Sequence, residues 1–585
     1  MTPSRFWLWL LLGALVLLVA ACVDPGDDDV GGDDDTADDD DSAQPGDDDT
    51  GPPGDDDSTG DDDTGDDDTG DDDTGDDDTG DDDSAVGCGP CVGDYEVYGL
   101  AQLSVVAACE TISGNLTIES LPAQVTDLDE LSCLTSVGES LNIQSNPGLL
   151  DVDGLSSLRD VGGELFIQYN DVLASVAGLS GVQSLSGGLN ITGNPQLFGL
   201  GPAWALASVG GALEFTENQR LLEIDALSSL TSLGSHLHID SNDDLVDLDG
   251  LGALTQVGGA LSIVYNPAVL QIDGLAAVES IGGDLLIEGN LLLLDLDGLA
   301  SLGAVPGEFR LQDNLALVDV DGLASLQSIS DTLRIEDNIS LVDLDGLANL
   351  TSIGDDLDLT DNISLVDVDG LSNLSFVGGD VLIHQNDPLA NLDGLSGVTT
   401  VPGTLSIFSN DLLADLDGLS NLSLVSGPLQ ISDNASLSDI TALTNLGSVG
   451  GSLTIDTNGA LVSLAGLTGL AGVGGAVLIG NHPQLVNLDG LSGLVTIGMS
   501  LFIVDNLALV DLDGLMGLTS VGLTMQVERN NALTSVSGLT GSLSVVGNLQ
   551  LRYNEGLCQA HAAEIAAAVT VHGTTDVQGN NGTCS

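Results

Sequence analysis

The 585-residue chain has no lysine and seven arginines, and aromatic residues make up 3% of it. Phosphate recognition needs clustered Lys and Arg, so nucleic acid is excluded as a partner. Attraction to an anionic lipid surface is excluded for the same reason. No Gly-x-Ser-x-Gly elbow, zinc-protease helix motif or P-loop occurs, so the familiar hydrolase and nucleotide-binding signatures are missing. What is present is acid and aliphatic: 92 Asp and Glu, a formal net charge of −85, and 42% hydrophobic residues. That hydrophobic content is ample for a core. Length alone suggests three or four domains at ~150 residues each, but a repeat described below overrides that prior.

Met1 to Arg5 is short and carries one positive charge. Phe6 to Ala21 is almost wholly apolar and, at about 16 residues, too short for a comfortable membrane span. It ends in Val19-Ala20-Ala21-Cys22. Small residues before a Cys resemble the bacterial lipoprotein lipobox. The resemblance implies a signal peptide over 1–21, cleavage before Cys22, and lipid such as palmitate on Cys22, which would tether the chain to a membrane. With Val23 rather than Asp next, it points to the outer membrane. There are seven Cys; removing Cys22 leaves six, an even number that can pair in an oxidising compartment.

Residues 22–87 form an Asp-rich stalk. Asp24 to Ser84 holds 32 of the 92 acids, and Gly60 to Asp83 repeats Gly-Asp-Asp-Asp-Thr. With almost no apolar side chain it cannot offset backbone entropy, so it is expected to be disordered and extended by its own charge. An EF-hand loop needs Gly at its sixth position and Glu at its twelfth, and this repeat has neither.

From residue 88 onward the chain is one array with a period of 24. The consensus is L-x-I-x-x-N-x-x-L-x-x-L-D-G-L-x-x-L-x-x-V-G-G-x, seen in Leu333 to Asp356 (LRIEDNISLVDLDGLANLTSIGDD). Positions 1 and 3 alternate with polar neighbours and predict a short strand with one buried face. Positions 9, 12, 15, 18 and 21 are also aliphatic, which predicts a flattened coil with a dry interior. Burying seven such side chains is worth about 14 kcal/mol, while ordering 24 backbones costs about 1–2 kcal/mol each. One coil therefore cannot fold alone, and stacking is required. Position 6 is Asn in 17 of 18 units from Leu141 onward, with His482 as the exception, and predicts a ladder. Position 14 is Gly in 14 of 17 complete units, and Gly recurs at positions 22 and 23. These corners are expected to need small residues or positive φ.

The pattern resembles leucine-rich repeats, and more closely the receptor L-domain group, the β-helix-like modules of insulin and epidermal growth factor receptors. Cys109-Glu-Thr-Ile-Ser-Gly-Asn-Leu-Thr-Ile118 looks like the N-terminal cap of such modules, and Cys558 to Cys584 like their C-terminal cap. The resemblance implies an all-β fold with short helical turns, a right-handed solenoid capped at both ends. Receptor modules are shorter and paired around a Cys-rich segment, whereas this array is long and uninterrupted, so only the architecture and a bias towards binding carry over. The expected division is a Cys-containing cap over 88–115, a solenoid over 116–556 and a second cap over 557–585.

Cys558 and Cys584 bracket the last cap and are expected to form a disulfide. Cys88, Cys91, Cys109 and Cys133 allow three connectivities, and a zinc site is the rival reading for these four. The Ala-rich segment Cys558 to Val569 is helix-prone and suited to lie over the last coil.

Candidate chemistry is sparse. His236, His238 and Asp240 alternate along a strand and could hold zinc, although exposed strand residues of any type alternate. The unit from Leu189 breaks pattern as GLGPAWALASV, and Trp204 could stack on a sugar or partner, or fold over its own irregular turn. Asp at position 13, present in 12 of 17 units, is expected to accept a backbone N–H and open a helical turn. Asp313, Asp337 and Asp361 occupy position 5 in three successive coils and form a candidate calcium site, because like charges ~5 Å apart are destabilising unless hydrated, neutralised or bridged. No other cofactor is expected. β-Helix polysaccharide lyases generally depend on basic residues at a cleft, which seven scattered Arg fit poorly. The sequence therefore reads as a lipid-anchored protein of the cell envelope, facing the exterior. Its solenoid, about 90 Å long, would bind proteins or glycans without catalysis or serve as a structural coat.

Overall fold

The computed structural model describes residues 87–539 and 542–584, all within the unit Asp83–Ser585. The expected signal peptide, Cys22 and the stalk up to residue 86 lie outside the described residues.

Alternation at positions 1 to 4 yields four-residue strands such as Leu333–Glu336, with Leu333 and Ile335 turned inward. Each strand pairs in parallel with the same positions one coil away, Leu333 lying between Phe309 and Leu357. A period of 24 thus keeps register, and 21 strands form one long sheet. The sheet is an open ladder rather than a closed barrel. Its first strand, Tyr95–Val97, pairs with Leu116–Glu119, and its last, Thr575–Gln578, pairs with Leu549–Arg552. The protein is an all-β solenoid of 24-residue coils with short 3-10 turns.

The inward positions are those the pattern predicts. In one coil Leu333, Ile335, Leu341, Leu344, Leu347, Leu350 and Ile353 are all fully buried. Position 13 begins a three-residue 3-10 turn, Asp345–Leu347, closed by the Leu347 N–H on the Leu344 carbonyl at 2.9 Å. The polar backbone between these elements pairs with the neighbouring coil, as when the Thr351 N–H donates to the Gln327 carbonyl at 2.9 Å.

Positions 20 and 21 form a second parallel arrangement, which is not continuous. It divides into sheets of nine, four and eight strands. Ordinarily the N–H at position 22 donates to the position-21 carbonyl of the preceding coil, as Gly354 does to Ile329 at 2.9 Å. Pro306 and Pro402 occupy position 22 in two coils and have no N–H to give. The breaks fall at those coils, between Ser280–Ile281 and Ala304–Val305 and between Phe376–Val377 and Thr400–Val401.

The Gly at position 14 serves close approach and not positive φ, the first of the two alternatives the sequence left for that corner. A Cβ on Gly346 would fall 1.8 Å from the Val320 carbonyl oxygen of the preceding coil, and Gly322, Gly370 and Gly418 show the same clash. Position 6 forms the expected ladder. Asn338 accepts the Asn314 N–H at 3.1 Å and donates to the Leu311 carbonyl at 2.8 Å, fully buried. The ladder runs one rung past the last recognised repeat, where Asn580 accepts the Asn554 N–H at 3.1 Å.

The ends are covered by helices. α1 (Leu100–Val106) packs beside Tyr95–Val97 and the first 3-10 turn. α2 (Gln559–Ala568) is the Ala-rich segment and packs beside the last strand, Thr575–Gln578. Disulfides join Cys88 to Cys133, Cys91 to Cys109 and Cys558 to Cys584, with Cα–Cα distances of 5.9, 5.5 and 5.0 Å. With those four N-terminal sulfurs bonded in pairs, no thiolate is left there for zinc.

Candidate functional site

The outer corners of the coils carry the densest chemistry. Asp343 at position 11 accepts the backbone N–H of Asp345 at 3.1 Å, and Asp295, Asp319, Asp367 and Asp415 do the same for the residue two ahead. Asn391 and Ser463 replace Asp in the same role. This is an Asx or ST turn leading into the 3-10 turn. The capping role expected of position 13 therefore belongs to position 11. A 3-10 turn begins with its N–H groups unmet, and the nearest acceptor lies two residues upstream.

That geometry brings two carboxylates of one coil together. The position-13 carboxyls of Asp249, Asp297, Asp345 and Asp369 are pushed up from the ordinary range, first by partial burial and then by the position-11 Asp of their own coil. For Asp417 the order is reversed, with Asp415 the larger cause. Asp residues of neighbouring coils add to each shift. The result is a double acidic rail along the solenoid.

Position 5 holds a feature the side chains conceal. Every coil adopts the left-handed conformation there, with φ of 57° at Asp313, 56° at Asp337 and 59° at Asp361. The N–H at this position donates to the position-4 carbonyl of the next coil, Asp337 to Thr360 at 3.1 Å. Gln385 Nε2 donates to Asp361 at 2.8 Å and Gln312 Nε2 to Asp313 at 3.3 Å. The calcium expectation is not met by the geometry: among the described residues no group of three or more metal-ligating side chains converges, and the column follows a backbone turn.

The three tyrosines of this column, Tyr169, Tyr265 and Tyr553, are each followed one coil later by glycine. A Cβ at Gly193, Gly289 or Gly579 would fall within 2.6 Å of the tyrosine ring. Each ring therefore lies over a glycine and stays about half exposed, 53%, 55% and 50%. These aromatic platforms were missed in the sequence, although a Tyr followed one coil later by Gly, 24 residues on for Tyr169 and Tyr265 and 26 for Tyr553, was a readable signal.

Of the two readings of Trp204 the structure bears out the second: it is not a ligand contact but folds over its own irregular turn. It is 1% exposed and donates through Nε1 to the Leu200 carbonyl at 3.2 Å. Its coil has no 3-10 turn, Gly201 takes φ 86°, and the Trp fills the interior a regular turn would occupy. Phe198 of the same coil is exposed instead. The His236, His238 and Asp240 group is likewise dispersed. His236 Nε2 meets Glu214 at 2.8 Å, while His238 Nδ1 meets Ser262 at 3.1 Å and its Nε2 lies 3.8 Å from Asp240. Glu214 and Ser262 belong to the neighbouring strands and Asp240 to His238's own, and no contact joins His236 to the other two.

His482 replaces Asn in the buried ladder. Its Nδ1 and Nε2 each lie 3.1 Å from a backbone carbonyl, of Asn458 and Ile455. Neutral imidazole has one N–H for two acceptors. Burial pushes its pKa below the ordinary His range, against the opposing pull of those carbonyls and Asp456. With the folded pKa depressed, the unfolded state takes the proton first. The stability is fully present above about pH 6.5 and is lost as pH falls below it. His482→Asn is therefore expected to stabilise by about 1–2 kcal/mol near neutrality, and by more as the pH drops to ~5. Parallel urea titrations of both forms measure this; a difference independent of pH would refute it.

A shallow trough over Gly472, Gly474, Thr496 and Gly498 is lined by small residues and aliphatics, with no titratable group. No helix among the described residues is long and apolar enough to cross a membrane.

No protein family matches the chain, and no curated protein matches it. Among solved structures it is similar to an internalin, inlF, from Listeria monocytogenes, at 14% identity over 71% of this chain and 92% of that one, with a TM-score of 0.25. It is similar also to TLR13 in a TLR13–ssRNA13 complex, at 16% identity over 81% of this chain and 89% of that one, with a TM-score of 0.21. The solenoid assignment stands on the strand pairings described above.

Proposed function

We propose that the chain is an exported, lipid-anchored envelope protein whose solenoid binds protein or glycan ligands without catalysis. The observation that carries this reading is the contrast between the two faces of the long sheet. Inward positions 1 and 3 are almost always Leu, Ile or Val, whereas outward positions 2 and 4 change from coil to coil, through Asn142, Phe166, Glu214, His238, Arg310 and Asp358. A constant scaffold under a varied face suits recognition. The tyrosine platforms add surfaces on which a sugar ring or an apolar side chain can stack. The trough without titratable groups gives no support to an acid–base mechanism.

The anchor rests on Val19-Ala20-Ala21-Cys22. Cys22→Ser is expected to abolish incorporation of labelled palmitate by the producing cells. Unchanged labelling would sink the lipoprotein reading. The binding role is tested by incubating the full-length chain with envelope extracts and a glycan array. Saturable capture of a defined ligand supports it; saturable binding to nothing in either would favour a structural coat.

A further inference from the structure

Position 10 lies on the coil surface, and in eight consecutive coils from Phe198 to Val366 it holds a large apolar side chain, exposed in six of them and half-buried at Leu222 and Val246. Backbone bonds link them directly, Val318 N–H to the Leu294 carbonyl at 3.2 Å and Val342 N–H to that of Val318 at 3.0 Å. At ~4.8 Å per coil this ridge is about 34 Å long. It widens over the four coils from Leu285. There Leu294, Val318, Val342 and Val366 at position 10 are joined by Leu291 and Ile363 at position 7, all 37–50% exposed. Soluble proteins seldom leave so many contiguous aliphatic side chains in water unless another surface covers them.

The borders of the ridge are charged. On one side run the position-11 carboxylates Asp295, Asp319, Asp343 and Asp367, fixed by their backbone bonds. On the other, past position 7 and the buried Asn of position 6, come the half-buried Asp313, Asp337 and Asp361 at position 5. An occupant must present an apolar stripe flanked by positive charge. A second copy of this chain does not fit, because a chain of net charge −85 with no lysine repels itself. A neutral glycan offers neither a continuous aliphatic stripe nor cations.

We propose that this ridge between two acidic rails is a docking surface for a basic amphipathic polypeptide segment of a partner protein, its apolar face on Val318, Val342 and Val366 and its Lys or Arg on the rails. The proposal rests on the surface-binding reading and narrows it to one partner chemistry. The apolar contact supplies affinity through burial, and the rails steer the encounter and fix orientation.

The test uses the full chain and two synthetic peptides of about 18 residues. One has a Leu stripe flanked by Lys in helical register; the other has the same composition scrambled. Both feel the acidic surface equally, stalk included, so their difference reports the ridge. The ordered peptide is expected to bind about tenfold more tightly. In Val318→Ser/Val342→Ser/Val366→Ser, three exposed positions, with an unchanged circular dichroism spectrum and unfolding midpoint as the check on folding, the preference should shrink to about twofold or less, with the affinity for the scrambled peptide unchanged. Equal binding of the two peptides to the wild type, or a preference that survives the triple substitution, would overturn the proposal. So would binding of the Cys22→Ser chain to zwitterionic vesicles that the triple substitution abolishes, which would make lipid the occupant. Failure here beside retained capture of an envelope ligand would sink this inference and leave the broader binding role standing.

Discussion

Gly346→Ala is expected to destabilise the solenoid by about 3 kcal/mol or more. The added Cβ would meet the Val320 carbonyl oxygen at 1.8 Å, its carbon at 2.4 Å and the Asp321 Cα at 2.8 Å. All three atoms are backbone, so no side chain can swing away; the coils must separate locally and stretch the bonds between them. The chain contains its own control. Ala226 occupies position 14 after the irregular coil of Trp204 and is 4% exposed. That coil lacks the 3-10 turn against which Gly346 packs, so a methyl group fits. Ala226→Gly is expected to change stability by about 1 kcal/mol or less. Denaturant unfolding followed by circular dichroism measures both, and equal effects at the two sites would remove close approach as the reason for the glycine column.

Asn338→Ala is expected to cost about 3–5 kcal/mol. The Asn338 side chain accepts from the Asn314 N–H and Nδ2 at 3.1 and 3.3 Å, and donates to the Leu311 and Glu336 carbonyls at 2.8 and 3.1 Å. Alanine would leave several of these groups unmet inside a dry coil, at about 1–3 kcal/mol each before relaxation. Hydrogen exchange should show the loss concentrated in the coils from Phe309 to Val381, because each coil touches mainly its neighbours. A cost below about 1 kcal/mol would mean that water replaces the amide and that the interior is not dry.

Much of this architecture was legible because the inward positions obey one rule in almost every coil, though not in that of Trp204. Leu, Ile and Val at fixed spacing identified the core, and Asn at position 6 announced the ladder, since the same polar side chain buried at the same height has one economical partner, its own image in the next coil. The left-handed turn at position 5 was hidden because Asp, Ser, Tyr, Thr, Gln and Arg all adopt it there. The backbone bond to the next coil sets that conformation, and the side chain does not report it. Position 11 was overlooked in favour of position 13 because Asp is frequent in both columns, and only geometry shows which carboxylate faces the N–H. Trp204 was ambiguous for a different reason. A large aromatic in an irregular segment suits either a contact or a plug, and the missing 3-10 turn decided for the plug. The ridge at position 10 was present in the sequence as a run of Val and Leu every 24 residues, but period alone does not reveal which side of the coil faces water.

The disulfides at the N-terminal end also have a mechanical meaning. Coils in an open ladder are joined to their neighbours in series, so a pull applied at Gly87 loads the first coil before any other. Cys88–Cys133 and Cys91–Cys109 tie the first strands to the coil that follows Leu116. Tension entering at Gly87 passes through covalent bonds into Cys133 and bypasses the hydrogen bonds of the end strands. Peeling must then begin beyond Cys133, deeper in the stack, where a coil is flanked on both sides. Reducing agent should lower the force of the first rupture in a single-molecule extension and leave the later, evenly spaced ruptures unchanged.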